Sequence, residues 1–95
     1  MTTPHNALRK EICEYLSSIG AWHHCASTHG YGRSGVPDIL ACYRGRFVSI
    51  EVKVAPDKPS PWQHREGLAI ERAGGLWIVA YDVRAVHVIA EPHHS

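Results

Sequence analysis

Two short segments, Gly35-Val36-Pro37-Asp38-Ile39-Leu40 and Ile50-Glu51-Val52-Lys53-Val54, stand on either side of Arg44-Gly45 and constrain the fold more than any other part of the chain. Residues 38–43 read as one strand and 47–54 as the next, with Arg44-Gly45 as the reversal. A two-residue turn there fixes the register and sets Asp38 directly across from Glu51. Two carboxylates in that position have Cβ atoms roughly 5 Å apart, which is destabilising without a partner. A divalent cation is the partner this placement asks for.

The same register sorts the side chains by face. Period-2 alternation puts Ile39, Ala41, Ile50, Val52 and Val54 on one side and Asp38, Glu51 and Lys53 on the other. Taken singly, these polar residues have structural readings, since Glu and Lys two apart form solvated pairs and Asp after Pro often opens a turn. Together they are more specific. Hard oxygen ligands on adjacent strands suit Mg²⁺ or Mn²⁺, and a nearby ammonium orients a water or offsets developing phosphate charge.

Pro37-Asp38, a short spacer and Glu51-Val52-Lys53 resemble the core of the PD-(D/E)XK nuclease superfamily. Gly35-Val36-Pro37-Asp38, with Pro61-Trp62-Gln63 and Ala73-Gly74-Gly75 further on, narrows the resemblance to the VRR-NUC family of virus-type replication and repair nucleases. The similarity runs from the first helix to about Tyr81. It implies an α/β fold, an αβββαβ core with a mixed sheet flanked by helices, and Mg²⁺- or Mn²⁺-dependent hydrolysis of phosphodiester bonds in DNA. By this resemblance Asp38, Glu51 and the Val52 carbonyl are metal ligands, Lys53 is catalytic, and Gln63 borders the active site. Stand-alone members imply a homodimer that cuts branched DNA such as four-way junctions. One departure stands out: the family has a metal-site glutamate early in the first helix, and the best register puts His5 there. His5 shares the face of Leu8 and Ile12 and is expected to point towards the sheet, whereas Glu11 and Glu14 fall off that stripe. Histidine ligates Mn²⁺ better than Mg²⁺.

Ninety-five residues make one modest core, so a single domain spanning 1–95 is expected, and a chain this short gains from oligomerisation. With 10 Lys and Arg against 9 Asp and Glu, the formal net charge is only +1. Any attraction for DNA must therefore be local. Arg33, Arg44, Arg46, Lys58 and Arg65 are the basic candidates around the site, and Arg33, Lys58 and Arg65, with Ser34 of the same glycine-containing loop as Arg33, are taken as the DNA contacts. Cys13, Cys25 and Cys42 show no paired spacing, and no secretory or membrane-spanning segment is recognisable. A reduced cytoplasmic setting, in a bacterial host or its phage, is expected, with no membrane partner. His23-His24-Cys25, with His29, raises a zinc reading, but adjacent strand residues point to opposite faces and no second ligand pair stands at zinc-finger spacing.

Leu8, Ile12, Leu16 and Ile19 recur at helical spacing before Gly20, predicting a helix over about 5–19 and a short strand over 21–26. The polar, glycine-rich stretch 27–35 reads as a loop able to approach phosphate. Prolines at 56, 59 and 61 end the sheet after Val54. Ser60, Pro61 and Gln63 form a capping-box signature for a helix to about Ala73. That cap accounts for Gln63 by itself, and the resemblance gives it a second role beside the active site; a capping side chain can hardly also reach a metal-bound water. Residues 76–81 read as a buried strand, and 82–92 as a short helix or an edge strand.

The reading with most support is a small metal-dependent DNA endonuclease. Two alternatives compete: a catalytically silent DNA-binding module or nuclease subunit, for which a facing carboxylate pair has no use, and a sequence-specific restriction-type enzyme, for which little chain remains to read base edges. Val83, Val86, Val88, Ile89 and Trp77 are the apolar candidates for a dimer surface, and a small monomer core could equally absorb them.

Overall fold

A computed structural model of the chain describes residues 2–25 and 34–91. Helix α1 spans Pro4–Ser18, with Thr3 as N-cap accepting from the Asn6 amide and proline at the first helical position. The three strands β1 (Trp22–Cys25), β2 (Ile39–Tyr43) and β3 (Arg46–Val52) follow, then α2 (Pro61–Arg72), β4 (Leu76–Ala80) and a 3₁₀ helix over Val83–Ala90. The order is the expected αβββαβ core with one further element. The ambiguous tail is helical, its start capped by Asp82 accepting from the Ala85 amide.

The strands lie in the order β1-β2-β3-β4. The first three are antiparallel, and β3 pairs parallel with β4 because α2 supplies the crossover that parallel neighbours need. Arg44 and Gly45 both have positive φ, 50° and 81°, the signature of a tight hairpin turn whose twist matches that of its strands. Ile39 consequently pairs with Ile50 and Tyr43 with Arg46, which is the register read from the sequence. The strand ends at Val52, but the Lys53 amide still donates to the Ala80 carbonyl at 2.9 Å, so Lys53 keeps its place in the alternation.

One face of the sheet is core. Ile39, Ala41, Val48, Ile50, Val52, Ile78 and Ala80 are buried there with Ile12 and Leu16 of α1 and Val86 of the 3₁₀ helix. On the opposite face α2 rests on β4, and the contact is close enough that a Cβ on Gly67 would run into the Trp77 indole. These packings correct the expected dimer surface. Val86 is fully buried, Val83 and Ile89 pack against the core, Trp77 lies under α2, and only Val88 remains exposed. The 3₁₀ turns place the apolar tail residues against the chain's own core, so they leave little for a partner. Among the described residues no helix is long and apolar enough to cross a membrane.

Candidate active site

Asp38 and Glu51 meet where β2 begins and β3 ends. Asp38 sits just before β2, and the Val52 amide donates to its Oδ2 at 2.8 Å, tying the carboxylate to the neighbouring strand. Glu51 is 1% exposed, an unusual depth for a carboxylate with no salt bridge to hold it. Gln63 Nε2 donates to its Oε1 at 2.9 Å, while among the described residues Oε2 has no hydrogen-bond partner. Burial, and then the nearby Asp38 carboxylate, push the Glu51 pKa up to about 8, with Lys53 pulling it down. The protein's own groups therefore leave the carboxylate pair short of positive charge. A cation fits it: an orphaned, buried carboxylate oxygen beside a second carboxylate is a hard-ligand pocket.

Gln63 corrects an expectation. Its Oε1 accepts from the Ser60 amide at 2.8 Å and its own amide donates to Ser60 Oγ, completing the capping box, yet the same side chain's Nε2 reaches Glu51. The capping and site readings are not exclusive, because an amide has two ends and the cap uses only the oxygen. The position of α2 is set by Gly35, whose φ of 84° and lack of a side chain let the segment leading into β2 lie against the Trp62 carbonyl.

His5 does point at the sheet from the first turn of α1. Its Nε2 stands 3.6 Å from Asp38 Oδ2, within ion-pair distance when the ring is protonated. Among the described residues no three His, Cys, Asp or Glu side chains form a ready cation cage.

The basic candidates divide. Arg65 and Ser34 line one recess beside α2, and Lys58 is exposed in the segment that leads from β3 to that helix. Arg44 and Arg46 are corrected: they lie at the hairpin turn, the opposite end of β2 and β3 from Asp38 and Glu51. Arg33, His29 and most of the glycine-rich loop fall outside the described residues. One relationship escaped the sequence reading: Cys13 on α1 and Cys25 on β1 bring their sulfurs to 2.8 Å, although their spacing carries no pairing signal.

The solved structure of a VRR_NUC domain is similar to this chain with a TM-score of 0.78 and 28% sequence identity, over 98% of this chain and 100% of that one. The chain is similar in fold to a VRR-NUC domain over nearly its whole length. Its mixed four-stranded sheet flanked by helices is the VRR-NUC arrangement, a nuclease-type fold. No protein-family model matches the chain, and no curated protein matches it significantly. The short Pro37-Asp38 and Glu51-Val52-Lys53 pieces carry less signal in the sequence than the fold carries in three dimensions.

Proposed function

We propose that this VRR-NUC-like domain is a Mg²⁺- or Mn²⁺-dependent DNA endonuclease that acts on branched DNA as a homodimer. The observation that carries the reading is the buried Glu51 carboxylate, facing Asp38 with one oxygen unpartnered. Asp38, Glu51 and the Val52 carbonyl would hold the ion, with His5 beside Asp38 in place of a further carboxylate. When bound, such an ion supplies positive charge that activates water and offsets charge on the phosphate. Lys53, on the same face, orients the attacking water and neutralises phosphate charge. Gln63 fixes the Glu51 carboxylate by holding one of its oxygens, so the other is presented in a single direction. Arg65, Ser34 and Lys58 supply local attraction for the backbone in a chain with almost no net charge, and Arg33 joins them as a candidate by sequence.

The symmetry of a twofold dimer matches that of a four-way junction, and a single small domain offers one site and little gripping surface. Trp22, Phe47, Leu68 and Val88 are among the exposed apolar residues available to a second copy. Incubating the purified protein with linear, flapped and four-way-junction DNA, with Mg²⁺ and with Mn²⁺, tests the reading. Junctions are expected to be cut fastest, in paired incisions, by a protein that sediments as a dimer. Binding without cleavage under every condition would instead favour a silent DNA-binding module.

A further inference from the structure

Trp62 occupies the first turn of α2, one residue before Gln63, and is 57% exposed. Of the other two tryptophans, Trp77 packs beneath α2 and Trp22 lies on the edge strand, away from the catalytic carboxylates. Leaving an indole more than half in water forgoes much of the stabilisation its burial would bring. Its backbone is held firmly. The capping box fixes the helix start, and Gly35 packs against the Trp62 carbonyl. The Arg65 guanidinium, one turn on, stands over the indole at 5.7 Å from the ring centroid. Ser34, Trp62, Arg65 and Glu66 surround a shallow recess of about 190 Å³.

A rigid aromatic surface with a guanidinium beside it, in a recess also lined by Ser34 and the Glu66 carboxylate, makes a site for a flat ring whose anionic group the arginine takes. We infer that Trp62 is a stacking shelf for an unpaired nucleobase next to the cleavage site, with Arg65 taking that nucleotide's phosphate. Bases inside an intact duplex are already stacked on their neighbours and cannot reach such a shelf, whereas a frayed, flapped or branch-point base can. The inference rests on the nuclease reading and sharpens it: the scissile phosphate lies beside a nucleotide that is unpaired or, as at a branch point, opens readily. The connection to the catalytic centre is direct in the chain, because the neighbouring Gln63 side chain reaches Glu51 at 2.9 Å.

The test is made in a Glu51→Gln background, so that DNA is bound without being cut. Anisotropy of labelled DNA gives the affinity for a single-strand flap and for a fully paired duplex with the same arms. Trp62→Ala is expected to lower the flap-to-duplex affinity ratio about tenfold, in the range that loss of one base–aromatic stack produces. Trp62→Phe should keep most of it, and Arg65→Ala should weaken flap binding with a shallower salt dependence. A 2-aminopurine in the flap should be quenched on binding to the tryptophan-containing protein and not to Trp62→Ala. An unchanged flap-to-duplex ratio in Trp62→Ala, or quenching that persists without the indole, overturns the shelf. If the otherwise unmodified protein cuts no DNA, the nuclease reading fails while this binding ratio still reports on Trp62.

Discussion

Gln63 Nε2 donates to Glu51 Oε1 at 2.9 Å, so the first turn of α2 grips a buried carboxylate on β3. Because Gln63 Oε1 simultaneously accepts from the Ser60 amide, helix capping and site geometry depend on one side chain. Gln63→Glu retains the capping oxygen but replaces the donor with a second acid facing Glu51. It should melt within a few degrees of the wild type yet lose most nuclease activity. Gln63→Ala removes both functions and should also lose about 1 kcal/mol of stability from the cap. Thermal melts alongside cleavage rates separate the two effects.

Stability without metal should depend on pH in a direction set by Glu51. Its folded pKa is raised to about 8 from an ordinary value of 4.5, so between those limits the folded chain holds a proton that the unfolded chain releases. This contribution is fully present below about pH 4.5 and is lost as the pH rises through about 8. Melting temperatures in EDTA should therefore fall across that window, and Glu51→Gln should flatten the trend. Divalent ions favour the charged carboxylate and should raise the melting temperature more at alkaline than at acid pH.

Gly67 is buried where α2 crosses Trp77, and a methyl group there would meet the indole. Gly67→Ala should cost about 1–3 kcal/mol by overpacking, despite alanine's better helix propensity. Denaturant unfolding measures it, and a stabilised variant would mean that α2 lies further from β4.

Cys13 and Cys42 should react very differently with alkylating reagents. Burial, and then Cys25, push the Cys13 thiol up to about 12, while Cys42 is exposed. With little thiolate present near neutral pH, Cys13 should be modified at least about tenfold more slowly than Cys42. Mass spectrometry of peptides after timed iodoacetamide treatment gives both rates.

The hairpin was legible because Arg44-Gly45 permits one tight turn, and one tight turn permits one register. From that register followed Asp38 opposite Glu51 and the division of the sheet into a core face and a polar face. The second bond of Gln63 was not legible, since it depends on how far the crossover carries α2 over β3 and β4. The approach of Cys13 to Cys25 joins a helix to a strand and leaves no periodic trace. The run Val83 to Ala90 is too short and too evenly apolar to choose between helix and strand, and contact with β4 and α1 decides it. Arg44 and Arg46 show the limit of reading proximity along the chain, because the strands that bring two carboxylates together carry their own turn to the far end.

The most direct test of the account is the cleavage rate of Glu51→Gln with Mg²⁺ and with Mn²⁺, measured beside its melting curve and those of Asp38→Asn and Lys53→Ala. The facing carboxylates predict that each variant keeps its fold and cuts at least roughly a hundredfold more slowly. Near-normal turnover by a folded Glu51→Gln would contradict it.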